Sequence, residues 1–165
     1  MIKEELYQRM IQLDEIVSNM YPNSYFNCVI VGGSALLSLN QIDRSTLDVD
    51  VIESSKEIYE YFEMFDFNTK VKSLFCCFPI NFMDRLIKIN INTKSINYFT
   101  PSIEDLIISK LYAYRQKDID DIYDIIKTNS YDKKILSELV EEARQSALNE
   151  RQYQEMLYFY KKHFI

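Results

Sequence analysis

Val31-Gly32-Gly33-Ser34, followed by Leu47-Asp48-Val49-Asp50-Val51, is the stretch on which the reading of this chain turns. Ahead of it, residues 26–31 form a short apolar run that stops at the two glycines, and residues 34–39 have helical character, so the order is strand, glycine turn, helix. Residues 47–51 alternate with period two and read as a second strand. On such a strand Asp48 and Asp50 share a face with α-carbons roughly 7 Å apart, and their carboxylates converge on one or two cations. Hard oxygen ligands suit Mg²⁺ better than zinc, and two metal ions about 3.5–4 Å apart are a recurring device for in-line displacement at phosphorus. A solvated strand face carries the same two acids. Gly32-Gly33-Ser34 also has two readings. It is a phosphate cradle, in which glycine permits close backbone approach, the helix start offers N–H groups and Ser34 adds a hydroxyl, or it is a plain helix-start turn.

Outward from this stretch, residues 3–20 place Leu6, Met10, Leu13, Ile16, Val17 and Met20 at spacings of three and four, the stripe of an amphipathic helix. A further helix is expected from about residue 55 to 65. Short Phe- and Ile-rich runs at 73–78, 80–83, 87–91 and 96–99 predict three or four strands. From Pro101 the pattern turns helical, with Ser102 and Asp105 spaced as a capping box, and two to four helices fill the rest. The expected class is α+β: a mixed β-sheet flanked by helices over residues 1–100, and a helical part over 101–165 within one compact unit.

Composition narrows the function classes. An apolar content of 47% excludes wholesale disorder, and no run of eighteen apolar residues appears. The charged start MIKEELYQRM differs from a secretory leader, so the expectation is a cytoplasmic protein with no membrane contact. Cys28, Cys76 and Cys77 lack C-x-x-C spacing and suggest neither a disulfide framework nor zinc. A net charge of −6 argues against broad binding to nucleic acid through its phosphates. The single histidine, His163, is expected at the surface, and no Ser/His/Asp set, Walker loop or dinucleotide fingerprint is present.

Taken together, the glycine turn, the helix and the Asp-x-Asp strand resemble the signature of nucleotidyltransferases of the polymerase-beta superfamily. Downstream, the stretches from Pro101 to Leu106, from Lys110 to Ala113 and from Arg115 to Ile122 resemble motifs of the AbiEii-like group, which includes toxins of abortive-infection toxin–antitoxin systems. The resemblance spans about residues 27–126. It implies a nucleotidyltransferase-type fold that moves NMP from an NTP to an acceptor, tRNA or protein, with Mg²⁺ or alternatively Mn²⁺ as cofactor and a cognate antitoxin as partner. By the same resemblance Gly32, Gly33 and Ser34 cradle the triphosphate, Asp48 and Asp50 hold metal, and Lys110 and Arg44 meet phosphate charge. Asp121, last acid of a Lys/Arg-Asp-x-x-Asp motif whose first acid is Asp118, is expected to be catalytic. A small antibiotic-modifying nucleotidyltransferase and a degenerate binding module are the alternatives.

One position departs from the superfamily pattern. A third carboxylate usually stands on a neighbouring strand, and the segment expected to carry it, residues 79–86, has Asn81 instead; Asp84, three positions on, would face the other way. Either Asp121 supplies the missing acid or the protein is a weakened or inactive member. In a single straight helix Lys110 and Asp121 would lie roughly 16 Å apart along the axis, so a shared role requires a break near residues 116–118, with Asp118 as N-cap of the second helix. Lys110 also reads as a snorkelling side chain beside Ile107 and Leu111, and Asp120, Asp121 and Asp124 as the solvated face of an amphipathic helix, the preferred reading for Asp120 and Asp124.

Overall fold

In the computed structural model, which describes residues 1–146 and 149–165, the stripe of apolar residues at the start of the chain becomes helix α1 (Lys3–Met20). It buries Leu6, Met10, Leu13 and Val17, while Met20 stays 59% exposed at its C-terminal end. Strand β1 (Phe26–Val31), helix α2 (Gly32–Ser38) and strand β2 (Val49–Ser54) follow as strand, turn, helix, strand. The helix expected over 55–65 is broken into 3-10 turns on either side of the short α3 (Tyr59–Phe62). β3 (Phe67–Asn68), β4 (Ile87–Lys88) and β5 (Ile96–Thr100) complete a five-stranded mixed sheet in the order β3-β2-β1-β5-β4. β1 runs antiparallel to β2 and parallel to β5, and β2 is parallel to β3.

Two compact units divide the chain, the first formed by Met1–Ser73 with Leu86–Pro101 and the second by Leu74–Arg85 with Ser102–Ile165. In the first, α1 packs against α2 and α3. A buried acid joins α1 to the sheet: Asp14, 2% exposed, accepts the backbone N–H groups of Lys94, Ser95 and Ile96 at 2.7–2.8 Å. Tyr98 donates its hydroxyl to the Met10 carbonyl.

The second unit holds α4 (Ile103–Ala113), α5 (Gln116–Thr128), α6 (Lys133–Ser146) and α7 (Glu150–Phe164). α4 touches the other three helices and is buried on nearly every side. Its start is capped as the sequence predicts, the Ser102 hydroxyl accepting from the Asp105 N–H. Asp105 itself is fully buried and takes a two-point contact from the Arg85 guanidinium, 2.6 and 3.1 Å. That pair anchors the Leu74–Arg85 segment to α4.

Residues 73–78 and 80–83 are not strands, contrary to expectation. They form 3-10 turns, Lys72–Cys77 and Phe82–Arg85. Phe75 and Phe78 lie three residues apart, the spacing that places side chains together on a three-residue turn, and both rings pack on Phe82. Pro79 lacks the N–H that a strand pairing would use. His163, expected at the surface, is half-buried, edge-on to Tyr123 and 3.2 Å from the Tyr114 hydroxyl. No helix among the described residues is long and apolar enough to cross a membrane.

Candidate active site

β1 ends at Val31, which pairs with Asp50 on β2, so the glycine turn begins beside an acid. Gly32 sits at φ +69°, and a Cβ there would come within 2.9 Å of Asp50 Oδ2. Both the backbone and the space therefore require glycine. At Gly33 an added Cβ would meet Thr46 Cγ2 at 2.8 Å and the Arg44 guanidinium at 3.3 Å. One carboxylate and one guanidinium thus close on the two glycines. Arg44 also donates to the Ser45 carbonyl. Ser34 is buried, and its hydroxyl donates back to the Val31 carbonyl at 3.0 Å, within the turn.

The Asp-x-Asp pair is not the regular strand pair expected. β2 begins at Val49, where pairing with Phe67 begins, so only Asp50 is on the strand; Asp48 lies exposed in the bend before it. Asp48 lines a shallow cavity of about 270 Å³ with Glu63, Asp66, Asn68 and Lys70 among its walls. Asn68, opposite Asp50 in the β2–β3 register, donates its amide to Asp50 Oδ1 at 3.0 Å. Its own Oδ1 accepts the Lys70 N–H, which fixes the direction in which the amide points. On β3, the residue opposite Asp50 is thus the neutral Asn68. Asn81 lies in a turn outside the sheet.

Among the described residues no group of three or more Asp, Glu, His or Cys side chains could share a metal. The carboxylates of Asp48 and Asp50 are hard oxygen donors of the kind that suits Mg²⁺, a cation held by one or two carboxylates while it keeps several waters.

Within the second unit Lys110 and Asp121 come together. The chain breaks at Tyr114, which is left-handed (φ 42°, ψ 38°), and Arg115 caps α5, so the break precedes the expected place and Asp118 is the third helical residue instead of the cap. It nevertheless serves the helix start, because its carboxylate accepts the Arg115 N–H at 3.1 Å. Lys110 Nζ lies 2.6 Å from Asp121 Oδ2 and 3.2 Å from Asp118 Oδ1, with all three side chains 6% exposed or less. Arg115 adds a 2.8 Å contact to Asp118 from its side. Burial pushes the Asp118 carboxyl up, but the hydrogen bonds of Arg115 and the charges of Lys110 and Arg115 outweigh it and hold the group below the usual carboxylate range. Lys110 is thus a desolvated ammonium between two acids and not a snorkelling side chain.

The structure collects Gly32, Gly33, Ser34, Arg44, Asp48 and Asp50 in the first unit, and Lys110, Asp118 and Asp121 in the second. Sequence reasoning missed Asn68 and Asp14. A two-residue strand has no periodicity to betray Asn68, and Asp14 beside an apolar stripe looks like any solvated helix acid.

Comparison with known proteins adds one positive finding. Residues 8–164 match the model of a family described as nucleotidyltransferase of unknown function (DUF6036). No curated protein and no solved structure matches the chain significantly. The family match runs through both units, over the glycine turn, the acid pair and the Lys110 cluster alike, and on that ground the chain belongs to this family of nucleotidyltransferases.

Proposed function

We propose that the protein is a Mg²⁺-dependent nucleotidyltransferase, Mn²⁺ serving as a substitute, which moves NMP from an NTP to a hydroxyl of tRNA or of a protein. The observation that carries this reading is the convergence of the Asp50 carboxylate and the Arg44 guanidinium on Gly32 and Gly33. There the carboxylate would meet a cation and the guanidinium phosphate oxygens, and the glycines let both side chains close on the turn. Bound Mg²⁺ would supply charge neutralisation at the α-phosphate, with Asp48 and Asp50 as its protein ligands. The acceptor oxygen forms its bond to the α-phosphorus as the bond to the β-phosphate oxygen breaks, and pyrophosphate leaves. Arg44 and the glycine turn hold the phosphates. The resemblance gives Lys110 a phosphate role and Asp121 the acceptor proton; within the second unit the two are paired with each other. The resemblance of the Lys110–Asp121 region to AbiEii-like enzymes supports a role as the toxin of a bacterial toxin–antitoxin or phage-defence pair, with a cognate antitoxin.

A second reading is a degenerate module that binds nucleotide without turnover, and the neutral Asn68 beside Asp50 favours it. Incubation with α-labelled NTPs, Mg²⁺ and total cell extract separates the two. Label entering RNA or protein, and absent with Asp50→Asn, supports the transferase. Mg²⁺-dependent NTP binding without label supports the module, and no metal-dependent binding overturns both.

A further inference from the structure

Cys76 and Cys77 end the 3-10 turn Lys72–Cys77, and the proposed chemistry gives neither a task. Cys28 is fully buried in β1, whereas Cys76 is exposed and Cys77 half-buried, and neither of the two is in a disulfide. Side chains of adjacent residues on a helical turn ordinarily point apart. Here the Cys77 S–H donates to the Cys76 sulfur, so the two thiols meet at one point. Their surroundings belong to the second unit. Cys76 borders an apolar cavity of about 200 Å³ whose walls include Phe75, Ile80, Ile108 and Tyr112. Cys77 is within electrostatic reach of Tyr112 on α4 and of Arg115 and Asp118 at the start of α5. Burial, and after it the neighbouring thiol, push the Cys77 group up to about 11, while Arg115 draws it down.

We infer that Cys76 and Cys77 form a binding site for one soft monovalent cation, Cu(I), held between two thiolates. The donor set makes the choice. Thiolate sulfur selects Cu(I), zinc or an iron–sulfur cluster over a hard cation such as Mg²⁺. Zinc takes at least three protein ligands and an iron–sulfur cluster four. Among the described residues no group of three or more His, Cys, Asp or Glu could hold a metal. Two donors suffice for Cu(I), a closed-shell ion that accepts linear coordination. Oxidation is the rival fate of such a pair. Adjacent α-carbons are about 3.8 Å apart, below the roughly 4.4–6.8 Å that a relaxed disulfide spans, so a bridge here would be strained and readily reduced. Uptake exchanges two S–H bonds for two S–Cu bonds and releases two protons. The resulting complex carries one negative charge, which Arg115 offsets, and the apolar cavity shields it from water on one side. Neither nucleotide nor Mg²⁺ enters this inference, which stands apart from the nucleotidyltransferase reading.

The test is an anaerobic titration of the reduced full chain with Cu(I) against a chromophoric Cu(I) chelator, read by absorbance and by native mass spectrometry. The expected result is one ion per chain. Loss of a direct ligand should cost more than loss of an outer partner, so Cys76→Ser and Cys77→Ser should each weaken uptake at least about hundredfold. Arg115→Gln, which removes the charge beside the complex, should weaken it about tenfold. An excess of Mg²⁺ should leave the ion in place, because a hard cation does not compete for thiolates. Cys76 is exposed, so Cys76→Ser should fold, with circular dichroism as the check. If Cys77→Ser fails that check, Cys76→Ser and Cys76→Ala carry the test. No uptake in competition with the chelator overturns the inference. So does uptake that survives Cys76→Ser, or one ion per two chains, which would mark a bridge between copies. Displacement by an equal concentration of Zn²⁺ would reveal a fuller donor set and overturn it as well. Uptake by a chain that transfers no nucleotide leaves this inference standing, and transfer by a chain that takes up no Cu(I) leaves the enzymatic reading standing.

Discussion

Asn68 sets the charge of the first unit's site. Two carboxylates and an amide carry one negative charge less than three carboxylates, and the amide donates to Asp50 where an acid would repel it. Asn68→Asp is therefore expected to lower the stability of the metal-free protein and to raise Mn²⁺ affinity about tenfold, read by electron paramagnetic resonance. Unchanged Mn²⁺ affinity would place the cation away from Asp50. At Lys110 the obvious substitution misleads. Lys110→Ala leaves Asp121, 0% exposed, without its ammonium, and breaking a buried pair by removing one partner costs about 3–5 kcal/mol. Its thermal midpoint should fall by several degrees, so lost activity in that variant does not identify a phosphate ligand. The double change Lys110→Met with Asp121→Leu should recover part of the loss in a denaturant titration, because it removes that buried pair while Asp118 keeps only Arg115 of its two cationic partners.

At the scale of elements, α1 is tied to the sheet by the Asp14 carboxylate and by the Tyr98 hydroxyl. Asp14→Ala orphans three backbone N–H groups and is expected to cost about 3–5 kcal/mol in urea unfolding, whereas a change at exposed Glu15 should cost less than about 0.5 kcal/mol. The start of α5 carries a pH dependence. The Asp118 carboxyl is held low in the folded chain, so its contribution to stability is complete above the ordinary aspartate value of about 3.9 and disappears as the pH falls through the lower, folded value. Acid unfolding of Asp118→Asn should accordingly be flatter below about pH 4. Elements with strong local signals were legible in the sequence: the stripe of α1, the run of β1 with its glycine stop, and the Ser102 cap. The 73–83 region was not, because phenylalanines three apart on a 3-10 turn and phenylalanines in a short buried strand give the same apolar run. Of the site, the glycines and the two acids could be named from pattern and spacing, and Arg44 through the family resemblance. The displacement of Asp48 off the strand could not, since it depends on where β3 begins to pair.

Across the whole molecule the net charge of −6 is shared by two units with separate cores, and the connection between them is not a single linker. The backbone leaves the first unit after Ser73, contributes Leu74–Arg85 to the second, returns at Leu86 and leaves again after Pro101. Sequence composition suggested one boundary, near Pro101; the excursion itself has no Gly or Ser spacer to announce it. Its consequence lies in dissection and biogenesis. A fragment cut at Pro101 would retain a twelve-residue loop whose Phe75, Phe78 and Phe82 had lost the helices that cover them, and such a patch of rings invites self-association. Expression of residues 1–101 should yield aggregate by light scattering, and residues 102–165 alone should lack the Arg85 anchor on Asp105. On the ribosome, likewise, the early loop has to wait for the last third of the chain before its aromatic rings find cover.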